Sequence, residues 1–307
     1  MSVKYIKFSF SSRKDGLKID AMAVAPEKDI IGVVQIIHGM CEHKERYTHF
    51  MEYLAEKGYL CVIHDNRGHG DSVKDEADWG YFYEGGHKAL IDDAYQLMMK
   101  VKKKLSDVPY ILVGHSMGTL IARCMMKKHD SKIDRLILLG SPSKPGITGF
   151  GFALCQLVKL VKGERAHSKI LDYVVVNSMF EKRFKHEKMI HSWISSDREV
   201  VEKFNNSKKC TFTFTTSGYV EMLKLLISTY NKKGWKLDNP ELPILFLSGR
   251  DDPCNINPKM YGKSVHNIKQ VGYYNVSARL YGGMRHEVLN EKNKNRVYND
   301  IYEFISK

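Results

Sequence analysis

The sequence lacks any pair of cysteines with the CxxC spacing, although it contains six cysteines. Several of these stand in apolar runs, where a cysteine packs as a small hydrophobic side chain. No uninterrupted apolar run reaches the roughly 18 residues that a membrane-spanning helix needs. The first residues alternate as a strand does and lack the continuous apolar segment of a secretion signal. We therefore expect free thiols, a reducing compartment and a soluble, cytoplasmic protein.

Internal repeats and low-complexity segments are also missing, and acidic residues are outnumbered: 35 Asp and Glu stand against 48 Lys and Arg. A basic excess is typical of proteins that bind nucleic acids or anionic membranes. Here the basic residues are spread along the whole chain, without an aromatic-interleaved cluster or a nucleic-acid-binding motif. The sequence therefore favours a solvated, lysine-rich surface and predicts no nucleic-acid partner. It leaves the oligomeric state open.

Eight short segments predict the strands of one sheet, at 5–10, 20–25, 32–38, 59–65, 110–115, 135–140, 243–249 and 277–282. The first two are joined through Asp15-Gly16, a strong hairpin signal. The other six are continuous apolar runs separated by helical patterns, which indicates a mostly parallel sheet with helices on both faces. A chain of 307 residues is long enough for this core and one insertion.

Helical periodicity separates these strands, and the predicted helices begin near Tyr47 and cover about 87–104, 118–129 and 287–306. Between 141 and 236 the alternation of strand and helix stops, and several helical patterns follow one another. We predict a mainly helical cap at 141–236, inserted after the sixth strand. The core domain then consists of two parts, 1–140 and 237–307.

The segment Gly114-His115-Ser116-Met117-Gly118 follows the fifth predicted strand and opens a helix. A turn this tight strains its central residue and exposes that side chain above the sheet, and glycine is required on both sides because a Cβ would clash. A G-x-S-x-G pattern between a strand and a helix indicates a nucleophilic serine. The alternative interpretation is a serine that only caps the following helix.

A serine hydroxyl needs a histidine base, and the base needs an acid that fixes its tautomer. In this fold class the chain order is serine, acid, histidine. If the acid lies in the segment SGRDDP after the seventh strand, only His266 and His286 follow it. His266 lies inside a predicted helix, whereas His286 follows the last strand in a loop, so we predict His286. The residues alone leave Asp251 and Asp252 as alternatives for the acid.

The loop after the third strand is the third candidate element. Acyl transfer places negative charge on the carbonyl oxygen, and backbone N–H groups aimed at that oxygen stabilise it. Met117, directly after the nucleophile, offers one N–H, and Met40, which follows His38 and Gly39, offers the second. We interpret His38 as a side chain that braces this loop through hydrogen bonds.

Six motifs occur in order along the chain: HGMCEHKERY at 38–47, DNRGHGDS at 65–72, WGYF at 79–82, GHSMGT at 114–119, SGRDDP at 248–253 and RHEVLNE at 285–291. Together they resemble the monoacylglycerol lipase and lysophospholipase-like branch of the α/β-hydrolase superfamily, of the serine aminopeptidase S33 type. The motifs lie on both sides of the predicted cap, which matches the family only in position and approximate length.

The resemblance implies an eight-stranded α/β-hydrolase sheet with the cap over an acyl pocket. It implies Ser116 as nucleophile and His286 as base, and the family pattern G-x-x-D selects Asp252 as the acid. It also implies the backbone N–H groups of Met40 and Met117 as oxyanion donors.

The chain departs from the family pattern at two positions. Thr119 stands where many relatives have a second glycine, and Leu289 stands where the animal monoacylglycerol lipases have a histidine near the glycerol end of the substrate. The resemblance to those enzymes therefore does not extend to the head group.

We predict a serine hydrolase that cleaves carboxylic esters, with a lipid-like ester as substrate and with no metal and no cofactor. The histidines and aspartates of HDNRGHGDS (64–72) fall in one glycine-rich loop that suits a structural turn. The apolar stretch 147–161, with Lys159 and Lys162, offers a peripheral contact with lipid surfaces. Two alternatives remain: the same triad acting on a thioester, amide or peptide bond, and a catalytically idle hydrolase fold that serves as a binding module.

Overall fold

The computed structural model describes residues 3–307, apart from the side chains of 176–179. Its eight strands are β1 (Val3–Ser11), β2 (Lys18–Pro26), β3 (Gly32–Ile37), β4 (Tyr59–His64), β5 (Tyr110–His115), β6 (Arg135–Leu139), β7 (Ile244–Gly249) and β8 (Val276–Tyr281). They form one sheet in the order β1-β2-β4-β3-β5-β6-β7-β8. β2 is antiparallel to both of its neighbours, and all other pairs are parallel. The predicted eight-stranded, mostly parallel sheet is confirmed.

The central strands are buried on both faces, which explains their uninterrupted apolar sequences. Every residue of β3, β5 and β7 is buried. Alternate side chains point to opposite faces of the sheet, so β5 contributes Leu112 to one apolar core and Ile111 and Val113 to the other.

Ten α-helices complete the described chain: α1 (Thr48–Ala55), α2 (Gly86–Lys102), α3 (Met117–His129), α4 (Thr148–Lys162), α5 (Lys169–Asp172), α6 (Ser178–Phe184), α7 (Arg198–Asn205), α8 (Thr216–Tyr230), α9 (Pro258–Gln270) and α10 (Lys294–Ile305). α4 to α8 lie between β6 and β7, the position where the sequence predicts a helical cap. α8 packs on α3, and the Thr229 hydroxyl donates to the Leu120 carbonyl at 3.3 Å. Within residues 3–307, no helix has both the length and the apolar character to cross a membrane.

The last helix begins later than the sequence predicts. The predicted helix spans 287–306, but α10 begins at Lys294, after a short 3₁₀ turn. The preceding loop is held by tertiary hydrogen bonds: the Glu291 carboxylate accepts from the backbone N–H groups of Arg285 (2.7 Å) and Ser196 (2.9 Å). These contacts compete with helical hydrogen bonding and keep the loop at the carboxyl edge of the sheet. In open α/β sheets, that edge is where ligand sites form.

Candidate active site

Ser116 lies in a strained turn between β5 and α3. Its backbone has φ 51° and ψ −120°, outside the regions that ordinary residues occupy. A Cβ at Gly118 would lie 2.0 Å from the Ile37 carbonyl oxygen, and one at Gly114 would lie 2.6 Å from the Gly118 carbonyl oxygen. Glycine is therefore required at both positions, as the motif predicts. The Ser116 side chain makes no capping hydrogen bond to α3, which argues against the helix-cap interpretation.

The second part of the site is the pair of Asp252 and His286. His286 Nδ1 lies 3.0 Å from both carboxylate oxygens of Asp252. The carboxylate also accepts from the Ser248 hydroxyl and the Cys254 N–H, each at 2.8 Å. Burial raises the pKa of Asp252, but His286 and these hydrogen bonds outweigh burial and hold the pKa below its ordinary value. Asp252 can therefore stay ionised and hold the Nδ1 proton of His286.

The neighbouring Asp251 lies elsewhere. Its side chain is 45% exposed, and its carboxylate pairs with Arg183 at 3.3 Å. The structure thus brings Asp252, and not Asp251, to His286.

Three side chains surround the imidazole of His286. The His115 ring lies 4.9 Å and the Trp193 ring 5.2 Å from it, measured between ring centroids. The Cys254 sulfur lies 3.9 Å from His286 Nε2. Burial raises the pKa of the Cys254 thiol well above its ordinary value, so the thiol stays protonated and is a poor nucleophile. Trp193 belongs to the segment between β6 and β7, so that segment contributes directly to the site.

The loop after β3 approaches Ser116 closely. A Cβ at Gly39 would lie 2.8 Å from the Ser116 Cβ. His38 is fully buried; its Nδ1–H donates to the Gly39 carbonyl at 2.8 Å, and its Nε2 accepts from the Asn66 N–H at 2.8 Å. Burial holds the pKa of His38 well below its ordinary value, so the ring is neutral. These contacts match a bracing role for His38.

Glu42 is a buried residue that the sequence does not single out. One of its carboxylate oxygens accepts from the Gly39 N–H, from the Tyr47 hydroxyl at 2.8 Å and from His115 Nδ1 at 2.7 Å. Burial raises the pKa of Glu42, but His115 and Arg46 outweigh burial and lower it well below its usual range. Burial lowers the pKa of His115, and Glu42 more than reverses this. The result is a buried ion pair beside the serine turn and the Gly39 loop.

A second ion pair adjoins the first. Arg46 donates to both carboxylate oxygens of Glu287, at 2.6 and 2.7 Å, and lies 3.4 Å from Glu42. Its guanidinium also lies over the Phe204 ring, 4.9 Å from the centroid. The sequence shows these residues in two of the motifs, but 241 positions separate Arg46 from Glu287 and no local pattern predicts their contact.

Ser116, His286, Met40 and Met117 line one cavity of 540 Å³. Most of its wall is apolar and comes from the helices between β6 and β7 and the segments that join them, including Ile147, Phe150, Val175, Phe212, Leu223 and Leu226. Two large apolar residues of this wall are exposed, Phe150 at 73% and Ile147 at 70%. A volume of this size and an apolar wall suit a small organic ligand.

A cluster of carboxylates also lies near the site. Asp20, Asp65 and Asp71 lie close enough together to share a cation. The ammonium group of Lys44 lies between them, 3.0 Å from Asp20, 2.7 Å from Asp65 and 2.9 Å from Asp71. A lysine therefore serves as the counter-ion that a metal would provide.

The sheet order, the strained serine after β5 and the Asp–His pair at the ends of β7 and β8 define an α/β-hydrolase fold. The model of the family described as serine aminopeptidase S33 matches residues 28–293. The chain belongs to this family.

Individual relatives agree with this assignment. The chain is 23% identical over 290 residues to a monoacylglycerol lipase of Mycolicibacterium smegmatis, covering 94% of this chain and 93% of that protein. It is 24% identical over 268 residues to phospholipase YtpA of Bacillus subtilis, covering 87% and 92%. It spans 27% of an abhydrolase domain-containing protein of Dictyostelium discoideum, at 25% identity over 281 residues. A thermostable carboxyl esterase from Bacillus coagulans has the same fold, with a TM-score of 0.88, 24% identity and 99% of each chain covered.

Proposed function

We propose that this protein is a serine hydrolase that cleaves carboxylic esters with an apolar acyl chain. The observation that supports this most is that Ser116, in its strained turn, lines the same apolar cavity as His286, which is paired with the buried Asp252. A nucleophile, a base and an acid that orients the base are the components of acyl transfer through a covalent intermediate.

In the proposed reaction, His286 Nε2 removes the proton from the Ser116 hydroxyl, which attacks the ester carbonyl. The backbone N–H groups of Met40 and Met117 stabilise the oxyanion. The intermediate then collapses, and protonated His286 gives its proton to the departing alcohol. Water, deprotonated by His286, attacks the acyl-enzyme and releases a carboxylic acid and free Ser116. Throughout, Asp252 orients His286 and stabilises its positive charge.

Two findings support a lipid-like substrate. The wall of the cavity is mainly apolar, and transfer of an acyl chain from water to such a wall is favourable. Two relatives are named a monoacylglycerol lipase and a phospholipase, and both names denote enzymes that act on lipids.

A covalent probe tests the proposal directly. We expect a fluorophosphonate to label wild type at Ser116 and to leave Ser116→Ala unlabelled. The same pair is then assayed on esters of increasing acyl length, together with a thioester and an amide of matched chain. If the folded wild type is not labelled, the proposal that the protein is a serine hydrolase is wrong. If the amide is cleaved faster than the ester, the proposed ester substrate is wrong.

The acid is tested by two matched substitutions. We expect Asp252→Asn to lower kcat by about 10⁴-fold, because the imidazole loses its orienting partner. Asp251→Asn removes only an exposed pair with Arg183 and is the control. A larger loss of kcat in Asp251→Asn would reverse the assignment.

The outer face of α4 supports a contact with lipid surfaces. Leu160 is 83% and Val161 76% exposed, and Lys159 and Lys162 flank them on the same helix. An apolar helix face flanked by lysines suits an anionic lipid interface. We expect wild type to sediment with phosphatidylglycerol vesicles and the double variant Leu160→Ser/Val161→Ser to remain in solution. The control is Ile31→Ser, which replaces an exposed apolar residue outside the helices between β6 and β7. Equal sedimentation of wild type and both variants would exclude a lipid contact through α4.

A further inference from the structure

The charge of the cavity wall differs from the charge of the molecule. The chain has a net charge of +13, yet neither lysine nor arginine is among the described residues that line the cavity. Residues 176–179, whose side chains are not described, contain no charged residue either. Four carboxylates line the cavity: Glu42, Asp172, Glu181 and Glu287. The basic surface therefore ends at the rim of the cavity.

Among the described residues beside the triad, the basic side chains are paired with carboxylates. Arg46 forms ion pairs with both Glu42 and Glu287. The imidazole of His115 is paired with Glu42, and that of His286 with Asp252. Each of these three basic side chains therefore already faces a carboxylate.

Two more carboxylates, Glu181 and Asp172, line the cavity. Glu181 accepts from the His191 N–H at 2.8 Å, and Asp172 accepts from the Tyr219 hydroxyl at 2.7 Å. The His191 N–H is a neutral donor, so this bond does not compensate the negative charge of Glu181. His191, which also lines the cavity, has its Nδ1 2.6 Å from the Asn205 side-chain oxygen.

We propose that the cavity selects esters by the charge of the alcohol part: it accepts uncharged and cationic head groups and excludes phosphate-bearing ones. The inference rests on the proposed ester hydrolysis and specifies its substrate class. An anionic head group would lose its hydration, find no free lysine or arginine, and meet carboxylates across a medium of low dielectric constant. A hydroxyl head group can donate hydrogen bonds to these carboxylates, and a quaternary ammonium head group is attracted by their negative charge.

Three esters of one acyl chain test this selection: lauroyl glycerol, lauroylcholine and lauroyl glycerol phosphate, presented in nonionic micelles so that surface charge does not differ. We expect kcat/KM for the phosphate ester to be about 100-fold lower than for the glycerol ester, and the choline ester to be cleaved at least as well as the glycerol ester. Equal cleavage of the phosphate ester would overturn the inference.

Two conservative variants locate the effect. In Glu181→Gln and Asp172→Asn, which keep the hydrogen-bond acceptor, we expect the preference for the glycerol ester over the phosphate ester to fall about tenfold. Glu199→Gln, at an exposed carboxylate of α7 outside the cavity, is the control and keeps the wild-type ratio. A ratio that stays at the wild-type value in both cavity variants would contradict the role of these carboxylates.

Binding to Ser116→Ala separates this inference from the proposed reaction. Calorimetry with decylglycerol ether, decyltrimethylammonium and decyl phosphate requires no turnover, and we expect decyl phosphate to bind about 100-fold more weakly than the other two. Tight binding of decyl phosphate refutes the charge selection even if esters are cleaved. Selective binding without cleavage of any ester refutes the proposed reaction and leaves the charge selection standing.

Discussion

Among single residues, Glu42 has the largest expected effect outside the triad. Its carboxylate accepts hydrogen bonds from the Gly39 N–H and from the buried His115 imidazole. In Glu42→Gln, both partners lose a negative acceptor, so we expect the Gly39 loop to shift and kcat to fall by about 10²-fold, comparable to the loss of one oxyanion donor. Steady-state kinetics checks this. Glu45→Gln is the control, since Glu45 pairs with His43 and Lys44, and an equal loss there would contradict the proposed role of Glu42.

His64 provides a prediction about acid stability. It is fully buried, burial lowers its pKa to about 4 from 6.5, and neither ring nitrogen has a hydrogen-bond partner among the described residues. As the pH falls from 6.5 to 4, the unfolded chain binds a proton at this position and the folded chain does not. The free energy of unfolding therefore falls over this range, by on the order of 3 kcal/mol from His64.

The variant His64→Phe removes this contribution. We expect its free energy of unfolding to change less between pH 7 and pH 4.5 than that of wild type, as measured by urea titration. His69, whose pKa burial also lowers to about 4, keeps part of the dependence. Identical pH dependence in variant and wild type would show that His64 does not determine acid stability.

The residues of the site differ in how far sequence predicts them. Ser116, Asp252 and His286 lie in motifs at strand ends, where turn geometry and chain order restrict the choice. The pairing of Glu42 with His115 spans 73 positions, and Trp193 comes from a segment with no strand–helix rhythm. Contacts of this kind depend on tertiary packing, which local periodicity does not encode.

At the scale of elements, the strands were predictable because each is a buried apolar run bounded by turn residues. The helix predicted at 287–306 starts seven residues before α10, because Glu291, and not helical hydrogen bonding, holds the preceding loop. The boundaries of the cap at 141 and 236 remain a prediction. Its helices follow each other without intervening strands, so sequence patterns fix their ends poorly.

Two glycines in helices, one in a crowded environment and one in an open environment, test how tightly the start of α3 is packed. A Cβ at Gly118 would overlap the Ile37 carbonyl, whereas a Cβ at Gly262, inside α9, would meet no atom within 4 Å. We expect Gly262→Ala to stabilise the protein by about 0.5–1 kcal/mol through the loss of unfolded-state freedom. We expect Gly118→Ala to destabilise it by about 3 kcal/mol or more, because the backbone must move. Thermal unfolding measures both, and equal shifts would contradict the tight packing of α3 against β3.

At the scale of the whole molecule, charge is divided between a basic exterior and a carboxylate-lined cavity. The sequence predicts the first from composition alone. The second depends on which side chains point inward, and the helices between β6 and β7 carry lysines on their exposed faces and apolar or acidic residues toward the cavity. The proposed contact with an anionic lipid surface and the proposed selection of an uncharged ester are therefore compatible, because the first would use the basic exterior and the second the cavity.

Lys44 links distant parts of the chain, because its ammonium group pairs with the carboxylates of Asp20, Asp65 and Asp71. Lys209, between α7 and α8, pairs with Asp71 of the same cluster at 2.6 Å. In Lys44→Ala the buried Asp65 carboxylate loses its counter-ion, so we expect the free energy of unfolding to fall by about 3–5 kcal/mol.

Calcium tests the electrostatic origin of that loss. The three carboxylates offer oxygens within 4.8 Å of one another, and carboxylate oxygens are the ligands that Ca²⁺ prefers. We expect Ca²⁺ to raise the Tm of Lys44→Ala relative to EDTA and to leave wild type unchanged, since the ammonium group excludes a second cation. Lys209→Ala, which keeps Lys44, is the control and behaves as wild type. A Ca²⁺ shift of equal size in all three proteins, or none in Lys44→Ala, would mean that Lys44 stabilises the fold by packing and not by charge.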